Sequence, residues 1–300
     1  MKAIKIDGCK FDLPEDWGEL TEDNCRAIIR ATSKIKSKVQ VQSSLVLEML
    51  GLRVMPKRAR IIDESTHRLR KAVASDPAEK MLYYIRHGIT RVFIVSANDI
   101  ALLASGLDWL FTAPKDNTVT LKSRLISNFL PIIKIGKRTY YGPESLFDGV
   151  KYGQFEEAEM AWAEFSEGNI TKARDAMAAL YRLDCMPENE RVVEQKRKDF
   201  AKISDEDLRL FSLYYEGSKK AITDYYIDIF GTPGNEDENP FAVANSPTVQ
   251  VSESFVNMTT ILSKLDPTKI VGIRDCYLYD AFNTLKAMKK IQPNESDIQY

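Results

Sequence analysis

Histidine is almost missing from this chain. Among 300 residues there are two, His67 and His87. A His-based triad or an imidazole metal site has only these to draw on. Both stand among arginines (Arg68 and Arg70; Arg86 and Arg91), whose charge disfavours a bound cation or a protonated ring. Cysteine is nearly as thin. Cys9, Cys25, Cys185 and Cys276 are scattered and form no CxxC pair, which excludes a zinc ribbon or a dithiol redox motif. No apolar run approaches the ~20 residues needed to span a bilayer. The opening MKAIKIDGCKFDLPEDW is alternating and charged, unlike a signal peptide. Reduced thiols, no membrane partner and a cytoplasmic setting, or a particle assembled there, are therefore expected. Glycine-rich phosphate loops are absent too. Gly136-Lys137 lacks the upstream glycine and the following hydroxyl residue of a P-loop, and no GxGxxG, GxSxG or HExxH occurs. The sequence thus offers no catalytic residue, no metal site and no cofactor, and no enzyme is expected.

Apolar residues and charge are what the chain does have. At 44% hydrophobic it can build a core, which excludes global disorder. Charge is split along its length. Residues 1–140 hold 24 Lys+Arg against 15 Asp+Glu, a net of +9, and residues 141–300 hold 18 against 28, a net of −10. Such polarity bears on partners and association and not on fold.

Local patterns predict a mixed N-terminal region. Lys2–Ile6 alternates, Asp7-Gly8 is a hairpin turn and Lys10–Leu13 returns. Thr21 caps a helix with Ala27, Ile28 and Ala31 on one face, and a second helix covers Val41–Leu50. Arg91–Val95 reads as a strand, and Ser96 with Asp99 opens a helix. Tyr83-Tyr84 stand at helical spacing, as core residues would. Ile132–Ile135 and Arg138–Tyr141 form a second hairpin, and Gly142-Pro143 follows. The organisational boundary is expected there: a basic mixed region over 1–141 and an acidic helical region over 142–300. Helices are expected over Gln154–Glu167, Thr171–Leu183, Ser204 to a stop at Gly217, Lys219–Phe230, Val251–Leu265 and Thr268–Ile291. Gly231–Pro247 is a polar loop too long for a simple connector. The fold class is α+β, predominantly α-helical, with two small β-hairpins and a C-terminal helical bundle.

Two charged clusters are the candidate contact residues. Lys57, Arg58, Arg60, Arg68 and Arg70 belong to a stretch, Arg26–Arg91, with 15 Lys+Arg against 5 Asp+Glu. Such a patch suits an acidic protein partner. It also suits nucleic-acid phosphates, although no recognition-helix, RNP-type or zinc-finger pattern accompanies it. Glu156, Glu157 and Glu159 read as a solvated or partner-facing acidic side of a helix and not as a pair of acid–base carboxyls. If one copy's basic region meets another's acidic region, the contact runs head to tail.

The most individual stretch is RTYYGPESLFDGVKYGQFEEAEMAWAEFSEGN, followed by ARDAMAALYRLD. It resembles a loose group of uncharacterised phage and prophage proteins found among virion morphogenesis products. The parts that look alike are the turn Tyr141–Pro143, the helix opened by Gln154-Phe155, and Ala179-Leu180-Tyr181-Arg182. Leu13-Pro14, Trp17 and Glu19-Leu20-Thr21 are also similar, as is Phe211–Phe230 leading into Gly231. The resemblance implies a tail-associated structural protein or a tail-assembly chaperone, in the host cytoplasm during assembly or in the virion. Its partners would be other virion or tail proteins or further copies of itself. The alternative is a nucleic-acid-binding protein using residues 26–91.

Overall fold

The computed structural model describes residues 1–6, 9–35, 37–54, 60–63, 68–71, 82–87, 91–112, 121–183, 189–230 and 247–291. The turn at Asp7-Gly8, Lys57, Arg58, His67 and most of the 231–247 loop lie outside the described residues. The fold is α+β and predominantly helical. The chain divides into two compact units, Met1–Ser123 and Arg124–Tyr300.

The first unit opens with an antiparallel pair, β1 (Lys2–Ile6) and β2 (Cys9–Leu13), in a register that sets Ile4 opposite Phe11. Helix α1 (Glu22–Lys34) starts at Thr21, whose hydroxyl accepts from the Asn24 amide while the Asn24 side chain accepts from the Thr21 amide. That reciprocal cap satisfies two otherwise orphaned donors. Helix α2 (Lys38–Met49) follows, and its Val41, Leu45 and Val46 are buried with Ile28 of α1 and Leu107 and Leu110. Burial in this core pushes the Cys25 thiol up to about 12, so the thiolate is suppressed. Then come β3 (Leu52–Val54), β4 (Arg60–Asp63), β5 (Arg68–Lys71), β6 (Leu82–His87), β7 (Arg91–Ser96) and α3 (Ala97–Ser105). They give a three-stranded sheet in the order β3-β6-β7 and a separate two-stranded hairpin, β4–β5. Tyr83-Tyr84 therefore lie on a strand and not a helix. LYYIRH is rich in aromatic and β-branched residues, and RVFIVS supplies a matching strand, with Tyr84 opposite Ile94.

The second unit contains β8 (Ile132–Ile135), β9 (Arg138–Tyr141), β10 (Arg182–Leu183) and the helices α4 (Tyr152–Ser166), α5 (Lys172–Leu180), α6 (Glu190–Phe200), α7 (Asp205–Tyr225), α8 (Ile227–Phe230), α9 (Pro247–Ser263), α10 (Ile270–Asp275) and α11 (Leu278–Ile291). Its centre is aromatic. Phe147 lies 5.3 Å from both Tyr214 and Tyr215, with ring planes well off parallel, and Tyr152 faces Phe255 at 5.7 Å. Such tilted pairs suit the ring quadrupoles.

Three helices end differently from expectation. Helix α5 stops at Leu180 because Arg182–Leu183 pair with Tyr140–Tyr141 as a third strand. Helix α7 runs through Gly217 to Tyr225. The final helix breaks at Cys276-Tyr277, where two backbone bonds tie the chain to the start of α4: the Tyr152 amide donates to the Cys276 carbonyl and the Leu278 amide to the Val150 carbonyl, each at 2.9 Å. The compact units also meet at 123/124 and not at 141/142, because β8 and β9 pair with β10 in the second unit. Arg124, Lys134, Lys137 and Arg138 move with that hairpin. The first unit then holds 20 Lys+Arg against 15 Asp+Glu, net +5, and the second 22 against 28, net −6. The electrical contrast survives at little more than half its apparent size.

Candidate contact site

Helix α4 carries the acidic candidates, and its periodicity separates them. Phe155, Glu159 and Trp162 follow one another at i, i+4 and i+7, so they share a face. Phe155 and Trp162 are buried, and Glu159 goes in with them at 4% exposure. A carboxylate there must be paired. Tyr215 donates to its Oε1 at 2.6 Å, and Lys219 forms an ion pair with its Oε2. Trp162 lies over the Tyr215 ring at 4.4 Å and 32°. Burial, followed by the Glu159 charge, pushes the Tyr215 phenol well above its ordinary range. Glu159 is thus an interior residue and not part of an acidic docking face. The spacing from Phe155 to Trp162 was the signal for this.

Glu156 and Glu157 remain near the surface but share one cation. Arg274 of α10 reaches Glu156 at 3.2 Å and Glu157 at 2.9 Å. Glu156 is the more enclosed of the two. Burial raises its carboxyl above the usual range, the Arg274 charge opposes that rise, and the neighbouring Glu157 adds to it. A cleft of about 320 Å³ opens beside them, lined by residues of α4, α5, α6, α9 and α10, the apolar Met160, Val193 and Phe255 among them. Lys172 holds two further carboxylates of this cleft, Glu164 at 3.1 Å and Asp175 at 3.6 Å. Lys196 and Arg197 of α6 line the cleft as well, so four cations and four carboxylates share it. Partly exposed pairs of this kind contribute roughly 0–1 kcal/mol each.

The basic candidates lie on another element. Arg60 is on β4, and Arg68 and Arg70 are on β5. The register sets Arg60 opposite Lys71, Arg70 opposite Ile61 and Arg68 opposite Asp63. The structure therefore gathers the three arginines on one hairpin, whereas the three glutamates are divided between interior and surface. His87 is placed on β6 opposite Arg91. Among the described residues no group of three or more His, Cys, Asp or Glu is placed to hold a metal ion, and no helix is long and apolar enough to cross a membrane.

Compared with protein-family models, with curated proteins and with solved structures, the chain matches none.

Proposed function

We propose that this chain is a non-enzymatic structural or assembly protein that works through protein–protein contacts, in the setting of the phage-like particle its sequence resemblance implies. One observation carries the reading. The β4–β5 hairpin pairs with no other strand among the described residues, and it sets Arg60 directly opposite Lys71. A two-stranded hairpin is marginal alone, and this one carries Arg60, Arg68, Arg70 and Lys71 against Asp63, an excess of like charge whose repulsion weakens it further. An anionic partner surface converts that repulsion into attraction. An acidic protein face is the favoured partner, either a tail component or a further copy of this chain.

The test is charge reversal on the hairpin: Arg60→Glu, Arg68→Glu and Arg70→Glu together in the full chain. Association measured by sizing and light scattering is expected to weaken, with helical content unchanged. An assembly state identical to the parent chain at low salt overturns the reading. Phosphates would relieve the same repulsion, so filter binding to DNA and RNA at two salt concentrations is run beside it. Tight binding that falls steeply with salt would replace the protein partner with nucleic acid.

A further inference from the structure

The β8–β9–β10 sheet of the second unit has an inner and an outer face. On the inner side Tyr140 is fully buried and meets Phe200 edge-on at 5.1 Å. The register places Ile132, Tyr141 and Arg182 in one row across the three strands of the other face. There Ile132 is 55% exposed and Tyr141 38%. Lys134, Lys137 and Arg182 are exposed around them, and among the described residues none of the three is held in an ion pair. Arg138, by contrast, is engaged by Asp199 at 3.0 Å. A basic, partly apolar face thus stands on a unit whose net charge is −6.

β8 is also the last strand of its sheet. The Gly142 amide donates to the Pro131 carbonyl at 2.8 Å, which makes 131 and 142 a hydrogen-bonded pair. Bonded and non-bonded pairs alternate along an antiparallel ladder. Ile132 and Lys134 therefore turn their N–H and C=O groups away from β9, toward an edge that no strand occupies among the described residues.

We propose that the outer edge of β8 receives an extended acidic segment of a partner protein by strand addition. An acidic residue of that segment sits beside Lys134, and an apolar residue two positions away sits beside Ile132. The spacing follows from the two-residue repeat of a strand. The order follows from the surroundings. A cleft of about 270 Å³ lies next to Ile132 and Tyr141; Glu144 and Asp148 line it together with Arg182, so two carboxylates outnumber one cation there and an apolar side chain fits it better than a carboxylate does. A second copy is a poorer occupant, because it would bring its own Lys134 and Lys137 to the same edge. The inference rests on the reading that the chain works by protein contacts, but it uses a different surface from the basic hairpin.

Hydrogen exchange on the full chain tests it, with the capped peptide Thr-Glu-Thr-Leu-Thr as probe and Thr-Lys-Thr-Leu-Thr as control. At millimolar Glu peptide the Ile132 and Lys134 amides are expected to slow by about tenfold or more. Those of Ile133 and Ile135, already bonded to β9, should not change. Lys134→Glu should abolish the response to the Glu peptide and create one to the Lys peptide, with Ile133 protection showing that the hairpin is intact. No slowing with the Glu peptide, or equal slowing with both peptides, overturns the proposal. So does slowing that follows protein concentration alone, which would make a second copy the occupant. The hairpin variant Arg60→Glu, Arg68→Glu, Arg70→Glu should respond to the peptide as the parent does. If the peptide fails while hairpin reversal still weakens association, only this inference falls.

Discussion

Gly217 of α7 faces the backbone of Leu125: a Cβ added there would stand 2.3 Å from the Leu125 carbonyl oxygen and 2.4 Å from its amide nitrogen. The glycine lies inside a helix of 21 residues and does not end it. Its role is to let an extended segment of the same unit lie directly on the helix surface.

Gly217→Ala therefore sets two effects against each other. Helix propensity favours alanine by about 1 kcal/mol. A contact this close to rigid backbone requires movement of the helix or of the 124–125 segment, and overpacking of that kind costs about 1–3 kcal/mol or more. The clash is expected to win, so urea denaturation should show a net loss of stability. Gly272→Ala in α10 is the control, since nothing lies within 4 Å of the added Cβ. It should be neutral or stabilising by up to about 1 kcal/mol. Equal effects at the two sites would contradict the close approach at Gly217.

Gly217 also shows where sequence reading stops. Local chemistry was legible because its partners are near in sequence: the caps at Thr21, Ser96 and Ser204 and the turn at Gly136-Lys137 all stand as read. What was misread depends on distant neighbours. A glycine that permits a close approach looks like one that ends a helix. Arg182–Leu183 extend a helical pattern until β9 captures them. Cys276-Tyr277 interrupt a helix because their backbone is bonded to Val150 and Tyr152. Of the candidate contact residues, the arginines were found by composition alone. Glu159 was misplaced because charge was weighed above the helical face it shares with Phe155 and Trp162.

Glu159 is expected to behave as a core residue. Glu159→Ala leaves the buried Tyr215 hydroxyl without its acceptor, a loss of about 1–3 kcal/mol, while the partly exposed Lys219 ammonium can turn to water. Glu159→Gln keeps an acceptor for Tyr215 and should cost less. Thermal unfolding ranks the two variants. A Glu159→Ala protein as stable as the parent, but altered in association, would return the residue to the surface.

Asp199 supplies a pH dependence. It is 2% exposed, accepts from Tyr140 at 2.6 Å and pairs with Arg138 at 3.0 Å. Burial alone would raise its carboxyl, but the hydrogen bonds from Tyr140 and Gln195 and the Arg138 charge together hold it below its ordinary range. The folded chain therefore releases this proton at a lower pH than the unfolded chain does. Its stabilisation is present above the unfolded carboxylate value, about 3.9, and is lost as pH falls through the lower folded value. Asp199→Asn should cost about 2–3 kcal/mol at neutral pH. The gap to the parent should narrow below about pH 4, as the parent loses the contribution the variant never had. Urea midpoints at pH 7, 5 and 3 measure this, and a gap independent of pH would refute it.

Tyr214 fastens a sharp turn of the second unit that uses left-handed backbone without glycine, as Lys264-Leu265 also do. Leu146 and Phe147 have φ of 58° and 59°, a conformation that costs an L-residue roughly 1–2 kcal/mol. The turn persists because it is held from several sides. The Phe147 amide donates to the Tyr214 hydroxyl at 3.1 Å, and that hydroxyl donates to the Glu144 carbonyl at 2.7 Å. Ile126 accepts from the Leu146 amide at 3.0 Å, and Tyr279 donates to the Leu146 carbonyl at 2.6 Å. Tyr214→Phe keeps the ring against Phe147 but leaves a buried amide without an acceptor, a loss of about 1–3 kcal/mol. Tyr279→Phe removes a donor from a carbonyl near the surface, where water can substitute, and should cost less. Tyr214→Phe should also speed exchange of the Phe147 amide well before global unfolding, because the turn can open alone once its acceptor is gone. If that amide exchanges only with global unfolding in the variant, the turn is held by packing of the Phe147 ring and the hydroxyl contributes nothing.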